Sequence, residues 1–350
     1  MDGYALRCAD WPGAQAVLPL SQRIAAGTSG QALAPASVAR IFTGALIPSG
    51  ADAVVKQEDC EVVEGGIRIR VQPQPGQSIR RHGEDVRAGA VVLRAGERLG
   101  PASLGLAASI GFGQLQVARR VRVALFSTGD ELVMPGDVAP GEMKPGAIYN
   151  SNRYVLKALL QRLGCVVSDM GIVPDRLDAT IETLKAASQQ NDLILTSGGV
   201  SVGEEDHVKP AVQALGRLML WQIALKPGKP FAYGKIDAAH VAGLPGNPVA
   251  SFITFLLLVR PFILKLQGCA RVEPEAVALK ANFAWPKSDK RREFLRVKKD
   301  KAGGLSLFSN QSSGVLTSTV WGDGLVDNPP GQSIAHGDSV RFISFAELLA

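Results

Sequence analysis

The sequence predicts an α/β multidomain protein, with a central doubly wound, mostly parallel α/β sheet flanked by an N-terminal β-rich domain and a C-terminal β-barrel-like domain. Three observations carry that class. Between residues 121 and 248 an apolar strand runs three times into a small-residue loop and then towards a helix: VRVALF into STGDE, DLILT into SGGVSVG, and HVAGL into PGNP. Strand and helix patterns alternate over the whole of 118–270, the rhythm of a parallel sheet. Before residue 80 and after residue 271, short alternating segments are punctuated by Gly and Pro, the pattern of small β units.

In chain order, residues 1–80 read as the β-rich domain, with strands in AVVKQEDCEVV and GGIRIRVQ. Residues 81–117 read as a connecting helical segment around PASLGLAASI. The α/β domain, 118–270, follows as VRVALF, the helix SNRYVLKALLQRLG, CVVSDM, the helix DATIETLKAAS, DLILT, the helix DHVKPAVQAL, LMLWQIA, HVAGL and the helix NPVASFITFLLLVRPFILKLQ. The Pro/Gly-rich stretch 135–146 suits an exposed loop. Residues 271–350 return to short strands and form the C-terminal β domain.

Composition bounds the function. At 350 residues, 46% hydrophobic and 20% charged, the chain is long enough for several cores and reads as globular. Its longest apolar run, 249–259, is closed by Pro248 and by Arg260-Pro261, short of the roughly 20 residues of a bilayer span. No targeting signal opens the chain, so cytoplasm is the expected location, without a membrane. The four cysteines and four histidines are scattered and form no CxxC, which argues against a disulfide frame or a thiolate zinc site. A metal here is expected to be oxygen-bound, such as Mg²⁺. The net charge of +6 is small for the length and concentrates in KSDKRREFLRVKKDK at 287–301. That segment is read as a solvated β-hairpin with Phe294, Leu295 and Val297 as its apolar positions, rather than as a nucleic-acid surface.

The loops 127–131, 197–203 and 245–248 expose backbone amides ahead of helix N-termini, and glycine lets that backbone approach a ligand closely. In a parallel sheet such loops gather along the carboxyl edge of the strands, so one crevice is expected. Acids surround them: Asp130, Glu131, Asp175, Glu204, Glu205 and Asp206. Helix capping accounts for many acids at such positions and is accepted for Asp178. Asp130, Glu131, Asp175 and Asp206 remain as candidates to hold a divalent ion or orient a water. In LKPGKPFAYG, Lys226 and Lys229 flank a stiff turn and form a candidate anion clamp. Asn247 and Pro248 suit the cap and first turn of the last helix and complete a second cradle for phosphate or carboxylate. These residues imply a small, polyanionic, phosphate-bearing ligand with an oxygen-bound metal.

The motifs that carry this chemistry also resemble a known family, the molybdopterin molybdenumtransferases (MoeA and the gephyrin E domain), over essentially the whole chain. They are MDGYA at 1–5, IFTGA at 41–45, IRRHGEDV at 79–86, FSTGDEL at 126–132, YNSN at 149–152, VPD at 173–175, TSGGVSVGEEDHVK at 196–209, LKPGKPFAYG at 225–234 and LPGNPVAS at 244–251. The resemblance implies a MogA-like molybdopterin-binding α/β domain and the insertion of molybdate into adenylylated molybdopterin, with Mg²⁺-assisted hydrolysis of the phosphoanhydride and release of AMP. It implies catalytic parts for Asp2, Thr43, Glu131, Asp175 and Asp206, and metal contacts from Asp130, Glu131 and Asp206. Substrate contacts are implied for Arg80, Asp85, Ser197, Gly198, Gly199, Ser201, Lys226, Lys229, Pro245, Gly246, Asn247 and Pro248. Asp2, Thr43, Arg80 and Asp85 are expected to face the cleft from a partner subunit or domain, in an elongated homodimer. Transient contact with the adenylyltransferase or with acceptor molybdoenzymes is implied as well. The family pattern carries a helical segment ahead of MDGYA that this sequence does not show, so 81–117 is expected to form only part of the elongated domain. Two rival readings are a molybdopterin adenylyltransferase, whose loop usually reads TGGTG where this chain has SGGVSVG, and a non-enzymatic gephyrin-like scaffold, which has no use for the acids and lysines of the cleft.

Overall fold

The computed structural model describes residues 1–201 and 206–350, which fall into two compact units, 1–92 and 93–350. The first unit is built from two small sheets. Gly3–Leu6 lies between Val38–Ile41 and Ala53–Lys56, antiparallel to both, and Leu20–Ile24 adds an edge. Val17–Leu18, Gly66–Ile69 and Cys60–Val63 form the second sheet. The alternation expected of half-buried strands is visible in Gly66–Ile69, where Ile67 and Ile69 are buried beside Tyr4, Leu6 and Val55.

The second unit holds the α/β sheet. Its strand order is Val166–Val173, Arg122–Thr128, Leu193–Ser197, Ala239–Leu244, Ala232–Ile236, Arg217–Trp221. The first four are parallel and Ala232–Ile236 runs against both of its neighbours, so that Arg217–Trp221 points the same way as the first four and the sheet is mostly parallel, as the strand-helix rhythm demands. Both faces are covered. Val123, Leu125, Leu193, Leu195 and Leu244 pack with Leu156 and Leu160 of the helix Ser151–Arg162 and with Val249 and Ile253. Ala124, Phe126, Ile194 and Val241 pack on the other face with Leu184 of Leu177–Gln190 and Val208 and Val212 of Val208–Leu215. That division of successive residues between two cores is the two-residue period of a strand buried on both sides.

From Arg122–Thr128 the chain goes first to Val166–Val173 on one side and then to Leu193–Ser197 on the other. This topological switch opens a crevice at the carboxyl ends of those strands.

The long helix of the α/β domain runs, as the sequence reading has it, past Arg260-Pro261: it continues from Pro248 to Leu266 through a π-helical segment, Phe255–Val259, which the sequence does not announce. Pro261 has no N–H to give the preceding turn, and a locally widened turn is a low-cost way to carry a helix past it. The result is, among the described residues, the one helix long and apolar enough to cross a membrane, yet 61% of it is buried within the protein as the core element under the sheet.

In the C-terminal sheet the order is Leu225–Lys226, Arg292–Lys299, Gly324–Asn328, Ser339–Ser344, Val277–Lys280, with Leu305–Leu307 paired to Arg292–Lys299. A bridge from Ala281 to Leu305 brings the far edge back on itself, which gives the barrel-like closure. The 287–301 segment does form a hairpin, through Arg292–Lys299 and Leu305–Leu307, but it is not a solvated one. Phe294, Leu295 and Val297 are buried as expected, and so are Glu293 before them and Arg296 among them, because this strand lies inside the sheet and not at its edge.

Candidate active site

The three loops that follow Arg122–Thr128, Leu193–Ser197 and Ala239–Leu244 meet in one cavity of about 970 Å³ in the second unit. Parallel strands that are direct neighbours present their carboxyl ends at one edge, so their loops have no other place to go. Thr128, Gly129 and Glu131 line it from the first loop, Ser197 to Ser201 from the second, and Pro245 to Pro248 from the third. Asp175, Asp206, Lys226 and Lys229 complete the sequence-derived set.

The loops are locked to each other. Gly198 N–H donates to the Leu244 carbonyl at 3.1 Å. The Asn152 amide nitrogen reaches both Ser197 Oγ at 2.8 Å and the Gly246 carbonyl at 2.7 Å. Asn152 sits in the first turn of Ser151–Arg162, whose cap is Asn150, so a helix start clamps two loops of the pocket. Asn152→Ala is expected to lower stability by about 1–3 kcal/mol, the usual penalty for stranding a buried acceptor, and to loosen substrate binding. Thermal unfolding together with the dissociation constant of inorganic phosphate checks both.

Glycine is required at the second loop. Gly198 has φ +94° and Gly199 φ +65°, and a Cβ on Gly198 would stand 2.5 Å from the Thr128 carbonyl oxygen. The backbone of this loop therefore lies flat against the first. Asn247 stands at the cap of the last helix, but its side chain makes no capping bond there, which leaves it to the pocket wall.

Charge is divided across the cavity. On one side, the Asp130 amide donates to Asp175 Oδ2 at 3.1 Å and the Asp175 amide returns a bond of the same length to Asp130 Oδ1. This reciprocal pair braces the first loop against the loop after Val166–Val173, and Asp130, beside the lining residues Gly129 and Glu131, is not itself among the residues that line the pocket. Burial, followed by the nearby Asp130 and Glu131 charges, pushes the Asp175 carboxyl up, against the opposing bond from the Asp130 amide and the field of His207. A carboxyl raised on folding contributes stability below its ordinary range and loses it as pH rises through its folded value. Asp175→Asn is thus expected to raise the melting temperature at pH 7, with the gain vanishing in acid, as thermal unfolding across pH will show.

On the other side, Lys226 Nζ lies 3.0 Å from Asp289 Oδ2 and 2.9 Å from Glu293 Oε1. Arg291 also lines the pocket and pairs with Asp289 at 2.9 Å. Lys226 is therefore no bare cation. The lining is completed by Gln311, Ser312, Ser313 and Gly314 of the C-terminal unit's sheet connections, and by Tyr149 and Ser151. Of these, only the 149–152 stretch stood in a motif of the sequence. Arg291 lay within the basic segment read as solvated, and nothing local marks 311–314.

Among the described residues no three His, Cys, Asp or Glu side chains form a metal cage. Glu131, Asp175 and Asp206 still share one cavity. Such a site suits Mg²⁺, which takes one or two carboxylates and leaves the remaining positions to water and phosphate. Val202, Gly203, Glu204 and Glu205, the end of the second loop, lie outside the described residues.

Asp2, Thr43, Arg80 and Asp85 belong to the first unit. Thr43 N–H and Oγ1 lie 3.0 and 3.2 Å from Asp2 Oδ1, and the Thr43 amide holds the Asp2 carboxyl below the usual range. Thr43 and Arg80 line a separate cavity of about 550 Å³ within that unit, whereas Asp85 and Asp2 do not.

A doubly wound sheet whose Gly-rich loops, two lysines and three carboxylates line one cavity at its switch point defines an α/β protein with a site for a small anionic ligand. Comparison with known proteins makes this specific. Residues 124–265 match the model of a probable molybdopterin binding domain, 1–111 that of the MoeA N-terminal region (domains I and II) and 278–345 that of the MoeA C-terminal region (domain IV). A molybdopterin molybdenumtransferase of Nostoc is 35% identical, over 97% of this chain and 80% of its own. Molybdopterin molybdenumtransferase 2 of Mycobacterium tuberculosis is 36% identical, over 94% and 83%. The crystal structure of the molybdopterin biosynthesis protein MoeA from Pyrococcus horikoshii superposes with a TM-score of 0.84 at 26% identity, over 99% of this chain and 86% of that one. The chain belongs to the molybdopterin molybdenumtransferase (MoeA) family, whose members are enzymes of molybdenum cofactor biosynthesis. Neither the adenylyltransferase reading nor the scaffold reading is favoured by these relatives.

Proposed function

We propose that the chain inserts molybdate into adenylylated molybdopterin, with Mg²⁺-assisted hydrolysis of the phosphoanhydride and release of AMP. The observation that carries this reading is the convergence of three phosphate-type loops, Lys226, Lys229 and three carboxylates in one cavity of about 970 Å³. That volume suits a pterin nucleotide, whose phosphates and the tetrahedral oxyanion both need neutralising before they meet. Loop amides at Gly129, Gly198, Gly199, Gly246 and Asn247 bind the substrate's phosphates, with Ser197, Ser201, Pro245 and Pro248 shaping the wall. Lys226 and Lys229 hold negative charge from the opposite side, with Arg291 beside them. Glu131, Asp175 and Asp206 would hold Mg²⁺ through carboxylate oxygens, and the ion when bound supplies charge neutralisation at the phosphates. One of these carboxylates orients the attacking water and takes up its proton as the anhydride bond breaks and AMP leaves. The chain works in the cytoplasm as a homodimer, in which Asp2, Thr43, Arg80 and Asp85 complete the site, and it receives pterin from the adenylyltransferase and passes product to acceptor molybdoenzymes.

The test supplies adenylylated molybdopterin, Mg²⁺ and molybdate to the purified chain and follows AMP release together with reconstitution of a cofactor-free molybdoenzyme. Release and reconstitution that both depend on molybdate support the proposal, and neither occurring refutes it. Lys226→Ala is expected to raise KM for the adenylylated substrate about tenfold at low ionic strength and less at high salt, since a partly exposed charge is screened over about 8–10 Å. A KM unchanged at low salt removes Lys226 from the clamp.

A further inference from the structure

We propose that Glu293, from inside the C-terminal sheet, is a positioning residue that fixes the Lys226 ammonium in the pocket. The proposal rests on the reading of Lys226 as an anion contact and adds the element that sets its geometry.

Three strands place the groups side by side. Lys226 is the register partner of Glu293 in the parallel pairing of Leu225–Lys226 with Arg292–Lys299, and Glu293 is the partner of Asn328 in the next strand. Glu293 is only 1% exposed. A carboxylate so deep is retained only where it is compensated: here Oε2 is held by hydrogen bonds, while Oε1, which makes no hydrogen bond of good geometry, is compensated by the Lys226 ammonium as an ion pair. Oε1 faces Lys226 Nζ at 2.9 Å, while Oε2 accepts from Trp285 Nε1 at 3.0 Å and from Asn328 Nδ2 at 3.4 Å. Asn328, 2% exposed, is itself held by a bond to the Gln332 carbonyl at 2.9 Å. Glu293 therefore cannot turn, and a lysine that is otherwise a flexible point charge acquires a defined direction.

Glu293 and Asp289 both lie within ion-pairing distance of the Lys226 ammonium, which also lines the pocket. The charged groups that face Lys226 are, among the described residues, Glu293 on its strand and Asp289 on the segment before it, the latter shared with Arg291. Lys229, Glu131, Asp175 and Asp206 line the same cavity. Burial works against the ammonium, but Glu293 and Asp289 outweigh it, so Lys226 titrates above the ordinary lysine range. Glu293 acts through Lys226 and touches no substrate atom.

The test measures AMP affinity by calorimetry from about pH 7.5 to about pH 10.5, where AMP itself keeps one charge state, for the wild type, Glu293→Gln, Trp285→Phe and Lys226→Ala. Loss of the carboxylate is expected to move the alkaline limb of binding down by about one pH unit, as removal of one close opposite charge does. Affinity at pH 7.5 stays within about threefold, because glutamine still accepts from the ammonium. Trp285→Phe, which frees one oxygen of Glu293 without removing charge, moves the limb less and in the same direction, and serves if Glu293→Gln does not fold. Lys226→Ala abolishes the part of the limb that Glu293→Gln moves. A lowered melting temperature with an unmoved limb in both Glu293→Gln and Trp285→Phe overturns the positioning role while leaving Lys226 as a contact. Unaltered AMP binding by Lys226→Ala at every pH sinks the contact and the positioning role together.

Discussion

Asp206→Asn is expected to abolish molybdenum insertion, with a loss of about a thousandfold or more in turnover, while the melting temperature stays within a few degrees of wild type. Asp206 lines the cavity together with Glu131 and Asp175. The exchange removes a negative charge from the proposed Mg²⁺ side and almost no volume, so the energetic change falls on chemistry and not on packing. Steady-state AMP release with saturating Mg²⁺ gives the magnitude, and partial recovery at high Mg²⁺ is expected if the defect is one of metal affinity. Normal turnover by the variant removes Asp206 from the mechanism.

Gly198→Ala is expected to lose about 2–4 kcal/mol of stability and most of the activity. The two contributions are separate: a left-handed backbone at φ +94° that a side chain resists, and a methyl 2.5 Å from a carbonyl oxygen belonging to a core strand. Because the clash is with backbone, the second loop has to move off the first, which widens the cradle between them. Gly246→Ala is the matched comparison. Its added carbon would meet nothing nearer than the Gly198 Cα at 3.9 Å, so its stability is expected to be within about 0.5 kcal/mol of wild type. Chemical denaturation of the two variants side by side decides whether position 198 has this special demand; equal stabilities contradict it.

Much of the site is legible in the sequence because its grammar is local. At the third loop an apolar strand, a glycine turn and a helix start lie within a dozen residues of each other, whereas the first loop runs into Leu132–Val133 and reaches a helix only at Ser151, against the sequence expectation; parallel pairing still brings the three loops to one edge. Lys226 and Lys229 are legible for the same reason, held on a Pro-Gly turn. What the sequence hides is long-range. Leu225–Lys226 pairs with a strand more than sixty residues later, so nothing near Lys226 announces that Glu293 and Asp289 bind its charge. Arg291 sits in a run of basic residues whose local pattern is that of a solvated face, and only the interior place of Arg292–Lys299 in its sheet turns that face inward. Asn152 shows the middle case, a residue inside a recognisable motif whose clamp on Ser197 and Gly246 depends on three separate strands being assembled. The helix across Pro261 is legible from its apolar pattern, but the π-helical segment that carries it past the proline is not.

The account depends on the three loops acting as one anion cradle. Titration of the isotopically labelled protein with AMP, read by backbone amide chemical shifts, tests this most directly. Saturating shifts with one dissociation constant at Gly129, Gly198, Gly199, Gly246 and Asn247 are the predicted result. Shifts confined to one of these loops, or a strongest response in residues away from all three, would contradict it.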